Sequence, residues 1–128
     1  MKREIVSADK APAAIGPYSQ AIKCECSGFV FCSGQIPINP DSGEVIEGGV
    51  SKQTRQALEN LKAVLEQAGL GFENVVKTTV YLDDMDDFVS MNEIYEDYFK
   101  SDPPARAAFE VARLPKNVKV EIEAVACY

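Results

Sequence analysis

Few side chains in this sequence can do chemistry, and one missing residue type narrows them further. No histidine occurs among the 128 residues, so a Ser-His-Asp triad, a Cys-His pair and a histidine-ligated metal are all excluded. Arginine, carboxylates, tyrosines, the serine of CSGQIP and backbone amides remain. Arg106 lies in PPARAAFEVARLPKNVKVEIEA, flanked by small residues at the mouth of a strand-like run, and the stretch closes with Glu121 and Glu123. A guanidinium keeps its charge and presents a planar fork that matches both oxygens of a carboxylate, so Arg106 is suited to gripping the acid end of a small molecule. The ordinary alternative is a solvated ion pair, and acids paired on a strand are ordinarily a polar face. Arg113, nearer a loop, fits that ordinary description. Neither G-x-G-x-x-G nor G-x-x-x-x-G-K-[ST] is present, so nothing cradles a nucleotide phosphate, and no cofactor is expected.

The elements that must hold these groups follow from periodicity. APAAIGPYSQAIK opens with residues that disfavour helix and then alternates Tyr18, Gln20 and Ile22 as a short strand. GFVFCSGQIPI is a second strand, and NPDSGE a turn. From Val50 to Ala68 apolar residues recur at threes and fours (Ala57, Leu58, Leu61, Val64, Leu65), and Gly69 stands where a left-handed cap belongs. NVVKTTVYLDD alternates as a strand, with Val76, Thr78, Val80 and Leu82 on one face. A second helix is predicted from about Asp87 to Lys100, with Phe88, Met91, Tyr95, Tyr98 and Phe99 as its buried stripe, ended by Pro103 and Pro104.

The tail reads as a hairpin of RAAFEVAR and VKVEIEAVA turning around Leu114 to Asn117, with Arg113 opposite Val118. A period of two then puts Phe109, Val111, Val118, Val120 and Ile122 on the helix side. Arg106, Ala108, Glu110, Lys119, Glu121 and Glu123 share the other face. In that register Glu121 faces Glu110, roughly 13 Å from Arg106 at the strand rise. For the two to act together, the register must shift, or the glutamate must act from further off or from a neighbouring chain. Two helices cover one face of a five- or six-stranded α+β sheet, and the second face, with Ala108, Ala112 and Val125 among its charges, is expected to be an oligomer surface.

Bulk properties set the frame. One domain spanning residues 1–128 is expected, with no linkers or repeats. A net charge of -7 from 13 Lys+Arg and 20 Asp+Glu repels phosphate backbones, which disfavours a general nucleic-acid role. No apolar run approaches the ~18 residues of a membrane span, so a cytoplasmic protein is the default. Cys24 and Cys26 would point to one face of a strand, a spacing poor for a disulfide and unlike a zinc knuckle, so ordinary reduced thiols are expected. Cys32 is expected in the core and Cys127 at an exposed end.

Four blocks in order, APAAIGPYSQAI, SGQIPINPDSGEV, VVKTTVYLDDMDDFVSMNEIY and PARAAFEVARLP followed by VEIEA, resemble the RidA/YjgF family over nearly the whole chain. The resemblance implies a chorismate-mutase-like α+β fold assembled as a homotrimer, with sites in clefts between subunits. It also implies an enamine/imine deaminase that hydrolyses 2-iminobutanoate and 2-iminopropanoate, released by threonine and serine dehydratases, to 2-oxo acids and ammonia. Residue by residue, Arg106 corresponds to the ligand-binding arginine, Glu121 to the family glutamate, Tyr18 to the tyrosine of GPY, Ser33 and Gly34 to the pair before QIP, and Asn92 to the helix asparagine. Ala108 stands where many members carry a cysteine; a backbone N–H is the contribution expected there. Two further activities come with the resemblance, a regulatory protein that binds keto or amino acids without turnover, and a single-strand endoribonuclease or translation inhibitor. Charge and the missing imidazole argue against the latter.

Overall fold

The computed structural model describes residues 1–128. The segments rich in β-branched and aromatic residues form six strands: β1 (Lys2–Val6), β2 (Ala21–Glu25), β3 (Phe29–Gln35), β4 (Val75–Leu82), β5 (Ala105–Glu110) and β6 (Val120–Cys127). The two segments of helical period form α1 (Val50–Gln67) and α2 (Phe88–Tyr98). The strands form a four-stranded sheet in the order β3-β6-β4-β5 and a two-stranded ribbon of β1 and β2. The parallel bridge between Ser19 and Ala105 joins the ribbon to the β5 edge. Both helices lie on one face, the α+β arrangement the periodicity implies. No helix is long and apolar enough to cross a membrane.

The core lies between the helices and that face. Leu58, Leu61 and Leu65 of α1 and Met91, Tyr95 and Phe99 at α2 pack against Val80, Leu82, Val120 and Ile122, and all but Phe99 are fully buried. Each such side chain contributes roughly 1.5–3 kcal/mol relative to exposure. The end of α1 is as anticipated: Gly69 takes φ 75°, and the N–H groups of Gly69 and Leu70 donate to Glu66 and Leu65 carbonyls at 2.9 Å each. That pair of reversed bonds closes the helix because a residue without Cβ enters the left-handed region freely.

Several expectations are corrected. β5 and β6 do not form a hairpin. β4 lies between them, parallel to β5 and antiparallel to β6, so β4-α2-β5 is a crossover unit. The faces of β5 are reversed as well: Arg106 aligns with buried Thr78, and Phe109 with Tyr81. Arg106 and Ala108 therefore point under α2, where Ala108 packs on the core, and Phe109 faces outward, 45% exposed. A bulge between Val75 and Lys77 puts Val75, rather than Val76, in the core. The first residues form a strand, β1, where none was expected, and the Tyr18 segment, expected as a strand, is a loop preceding β2. Cys127 is fully buried rather than exposed.

Candidate functional site

Arg106 sits near the start of β5, the edge strand, where its guanidinium reaches up to α2. Its carbon Cζ lies 4.8 Å from the Tyr95 ring centre, 5.5 Å from Phe88 and 5.5 Å from Tyr18. Its Nη1 donates to Asn92 Oδ1 at 2.7 Å. The helical spacing of Phe88, Asn92 and Tyr95 puts all three on the α2 face that crosses β5. Tyr95 is held from below by Thr78, with 2.7 Å between hydroxyls, and burial pushes its phenol up to about 12, with Thr78 and Arg106 pulling the other way.

Tyr18 is delivered by the loop before β2. Ser19 anchors that loop to the chain leading into β5: its N–H donates to Pro104 O at 3.1 Å and its hydroxyl to Pro103 O at 2.5 Å. Gly16 lies beside the cluster, where a Cβ would stand in ordinary contact with Arg106 Nη2 at 3.8 Å and the Tyr18 ring at 3.6 Å.

The charge at this spot is not neutralised within the chain. The ion pairs present are Arg55–Asp97 and Lys62–Glu66; Arg106 has none. Burial is the largest influence on its pKa and lowers it, while Tyr95 and Tyr18 act in the opposite direction. Of five N–H donors on an arginine, one is used. A half-buried guanidinium stacked among aromatic rings with donors to spare is arranged to receive an anion, and a carboxylate or similar planar oxyanion fits the fork.

Glu121 is elsewhere. It aligns with Tyr81 on the sheet face away from the helices, two strands over and three residues along from Arg106. That is roughly 14 Å by strand spacing and rise, with the sheet between. Its carboxylate crosses the backbone of Gly34, where a Cβ would come 2.1 Å from Oε1. Ser33 and Gly34 form a bulge in β3, since Cys32 pairs with Ala124 but Gln35 with Ile122. Burial, then the neighbouring Glu123, raises the Glu121 pKa above the usual carboxylate range.

The expected residues thus form two clusters. Arg106, Tyr18, Asn92 and Ala108 lie on the helix side, and Glu121, Ser33 and Gly34 on or beside the open face. The shared face expected of Arg106 and Glu121 is not observed. Tyr95, Phe88 and Thr78 join the first cluster unannounced; their only signal in sequence was the buried stripe of α2 and the alternation of β4, which do not distinguish a core residue from the floor of a site. The larger hollows, about 450 Å³ beside Arg3, about 430 Å³ beside Lys62 and about 390 Å³ between the helices beside Arg55, lie away from Arg106. Arg106 occupies an open shelf, a surface that a second molecule could complete.

Comparison with known proteins fits this arrangement of elements. The family profile described as Endoribonuclease L-PSP matches residues 8–128. A RutC family protein of Pyrococcus horikoshii is 55% identical, with 97% of each chain covered. The 2-iminobutanoate/2-iminopropanoate deaminase of Homo sapiens is 53% identical, covering 97% of this chain and 89% of its own. Among solved structures, that of Escherichia coli TdcF with bound serine superposes with a TM-score of 0.74 at 44% identity, over 98% of both chains. A match of this extent to the profile, together with relatives about half identical from end to end, establishes that the chain belongs to the RidA/YjgF, or endoribonuclease L-PSP, family.

Proposed function

We propose that this protein hydrolyses short 2-imino acids, 2-iminobutanoate and 2-iminopropanoate, to 2-oxo acids and ammonia, in sites shared between copies of a homotrimer. One observation carries the reading: the half-buried, ion-pair-free guanidinium of Arg106, which matches the acid end of such a molecule. The printed activity of the human relative and the serine bound to TdcF, itself a small α-carboxylate, support it.

Arg106 takes the substrate carboxylate by two parallel hydrogen bonds, and Asn92 fixes the guanidinium plane. With the acid end held, the imine carbon is placed. Glu121 of an adjacent copy, with Gly34 and Ser33 beside it, holds a water and accepts its proton as oxygen attacks that carbon. That proton passes to the imine nitrogen to give the carbinolamine; as its hydroxyl proton is passed by the glutamate to the nitrogen, the C–N bond breaks, the C=O bond forms, and ammonia leaves. Tyr18 walls the pocket or orients the imine nitrogen, and backbone N–H groups near Gly34 and Ala108 are further donors. Such imines hydrolyse in water unaided, so orientation with modest acid-base help suffices, and the scheme calls on no cofactor.

The test adds the protein to a threonine dehydratase reaction and follows oxo-acid release. Acceleration is expected from the wild type and none from Arg106→Ala. Arg106→Lys keeps the charge but not the fork, and should lose about 10- to 100-fold in kcat/KM, the worth of one or more charged hydrogen bonds. Binding of 2-oxobutanoate without acceleration would instead favour the regulatory-protein reading.

A further inference from the structure

Three of the four thiols converge far from Arg106, at the corner where the two ends of the chain meet. Cys24 lies in β2 and Cys26 just beyond its last residue, Glu25, and their Sγ atoms are 4.0 Å apart. Cys127 arrives on β6 from the other end of the sequence, and the three Sγ atoms all lie within 4.8 Å of one another. Met1 adds a thioether, its Sδ 3.0 Å from Cys127 Sγ. Four sulfur atoms thus share one spot.

The backbone sets this spacing. The N–H groups of Ser27 and Gly28 both donate to Tyr128 O, and Tyr128 N–H donates back to Gly28 O at 3.1 Å. Asn74 Nδ2 holds the Cys127 carbonyl at 3.1 Å. Gly28 permits this closeness, since a Cβ there would come 2.7 Å from the Tyr128 ring. The residues next to Cys26 and Cys127 are therefore tied together whether or not anything binds.

The spacing suits a shared metal better than a covalent bridge. Metal–thiolate bonds of about 2.3 Å put two sulfurs on one ion about 4 Å apart. Cys24 and Cys26 already stand so, and the third sulfur needs to close by at most about 1 Å. A disulfide needs sulfurs at about 2.05 Å, half the present separation, and would strand the third thiol. The donor set also selects the ion. Structural zinc wants four cysteine or histidine ligands, and this chain has three cysteines here and no histidine. Thiolate and thioether donors favour Cu(I).

We propose that Cys24, Cys26 and Cys127 form a trithiolate site for Cu(I), with Met1 as a weak additional donor. Binding replaces thiol protons by the ion, which keeps its oxidation state, and the protons go to solvent.

The experiment titrates the reduced full-length protein with Cu(I) under anaerobic conditions against the chelator bicinchoninate. The wild type is expected to withdraw one Cu(I) per chain, with an ultraviolet thiolate-to-copper band and a sulfur-only coordination shell by X-ray absorption. Cys24→Ser and Cys127→Ser should each weaken binding by about 100-fold or more, and Cys32→Ala should leave it unchanged. Cys24 is half-buried on the ribbon, so its variant serves if Cys127→Ser fails to fold, with circular dichroism checking both. Equal competition by wild type and folded Cys24→Ser, a nitrogen or oxygen shell, or displacement of Cu(I) by equimolar Zn(II) would each overturn the proposal. Cys24→Ser should hydrolyse imines like the wild type, so this outcome is independent of the Arg106 reading.

Discussion

At the scale of single residues, the sequence singles out Arg106 as a candidate carboxylate clamp, but its surroundings are not legible there. Small residues flanking an arginine suggest access, and the fork suggests a planar oxyanion. Nothing in the local pattern says that Tyr18, Phe88 and Tyr95 stack on it, because two of these come from a helix and one from a loop far away in the chain. The acid-base assignment makes a prediction about pH. In the proposed reaction Glu121 works as a carboxylate, and burial, followed by Glu123, raises its pKa. Activity above the uncatalysed rate should therefore fall with decreasing pH through a value above that of an ordinary glutamate. Glu123→Gln removes one raising influence, so the acidic limb should move to lower pH. Glu121→Gln should lose the limb and about 100-fold or more in kcat. A limb that stays in place in both variants would show that another group titrates.

At the scale of elements, the period of two and the period of 3.6 located β3, β4, α1 and α2 closely, and Gly69 marked the end of α1. They placed β5 and β6 as strands and the faces of β6 correctly, but failed on their pairing and on the faces of β5, for a physical reason. Alternation tells which residues share a face but not which strand is the neighbour, and a short loop suggests a hairpin although β4 inserts between the two strands. Reading Phe109 as a core residue then reversed β5, because the open face is itself apolar: Phe109 packs edge-on against Tyr81 at 5.3 Å, and Phe31 is 77% exposed. A hydrophobic side chain on such a strand does not reveal which side is the core. The β3 bulge offers a test at this scale. Asn60 of α1 donates to Ile36 O at 3.1 Å and Ile38 O at 2.9 Å, pinning the chain just after Gly34 while Glu121 crosses it. Gly34→Ala has no room, so the carboxylate must swing away. The variant is expected to fold with little loss of stability, because the atoms in the way belong to a flexible side chain, and to lose kcat with little change in KM, since Arg106 is untouched. A selective rise in KM would place Gly34 in substrate binding instead.

At the scale of the whole molecule, the two clusters pose a problem that one chain does not solve. Arg106 and Glu121 are on opposite faces of the same sheet, and no register slip brings them together without turning the core inside out. The open face carries Phe31, Phe109, Val125 and the Tyr81–Glu123 hydrogen bond at 2.8 Å, an apolar surface with satisfied polar groups that suits burial against another copy. If each site takes its arginine from one copy and its glutamate from the next, two inactive variants should repair each other. Arg106→Ala and Glu121→Ala, each expected to be inactive alone, are unfolded together in equal amounts and refolded so that the proposed trimers contain both. Random assembly around a closed ring puts an intact arginine beside an intact glutamate in about one quarter of the sites, so about one quarter of wild-type activity should return. Simply mixing the two folded variants should restore little until subunits exchange. If both groups had to come from the same chain, no mixed trimer would contain a working site and the refolded mixture would stay silent, so recovery of activity tests the shared site directly.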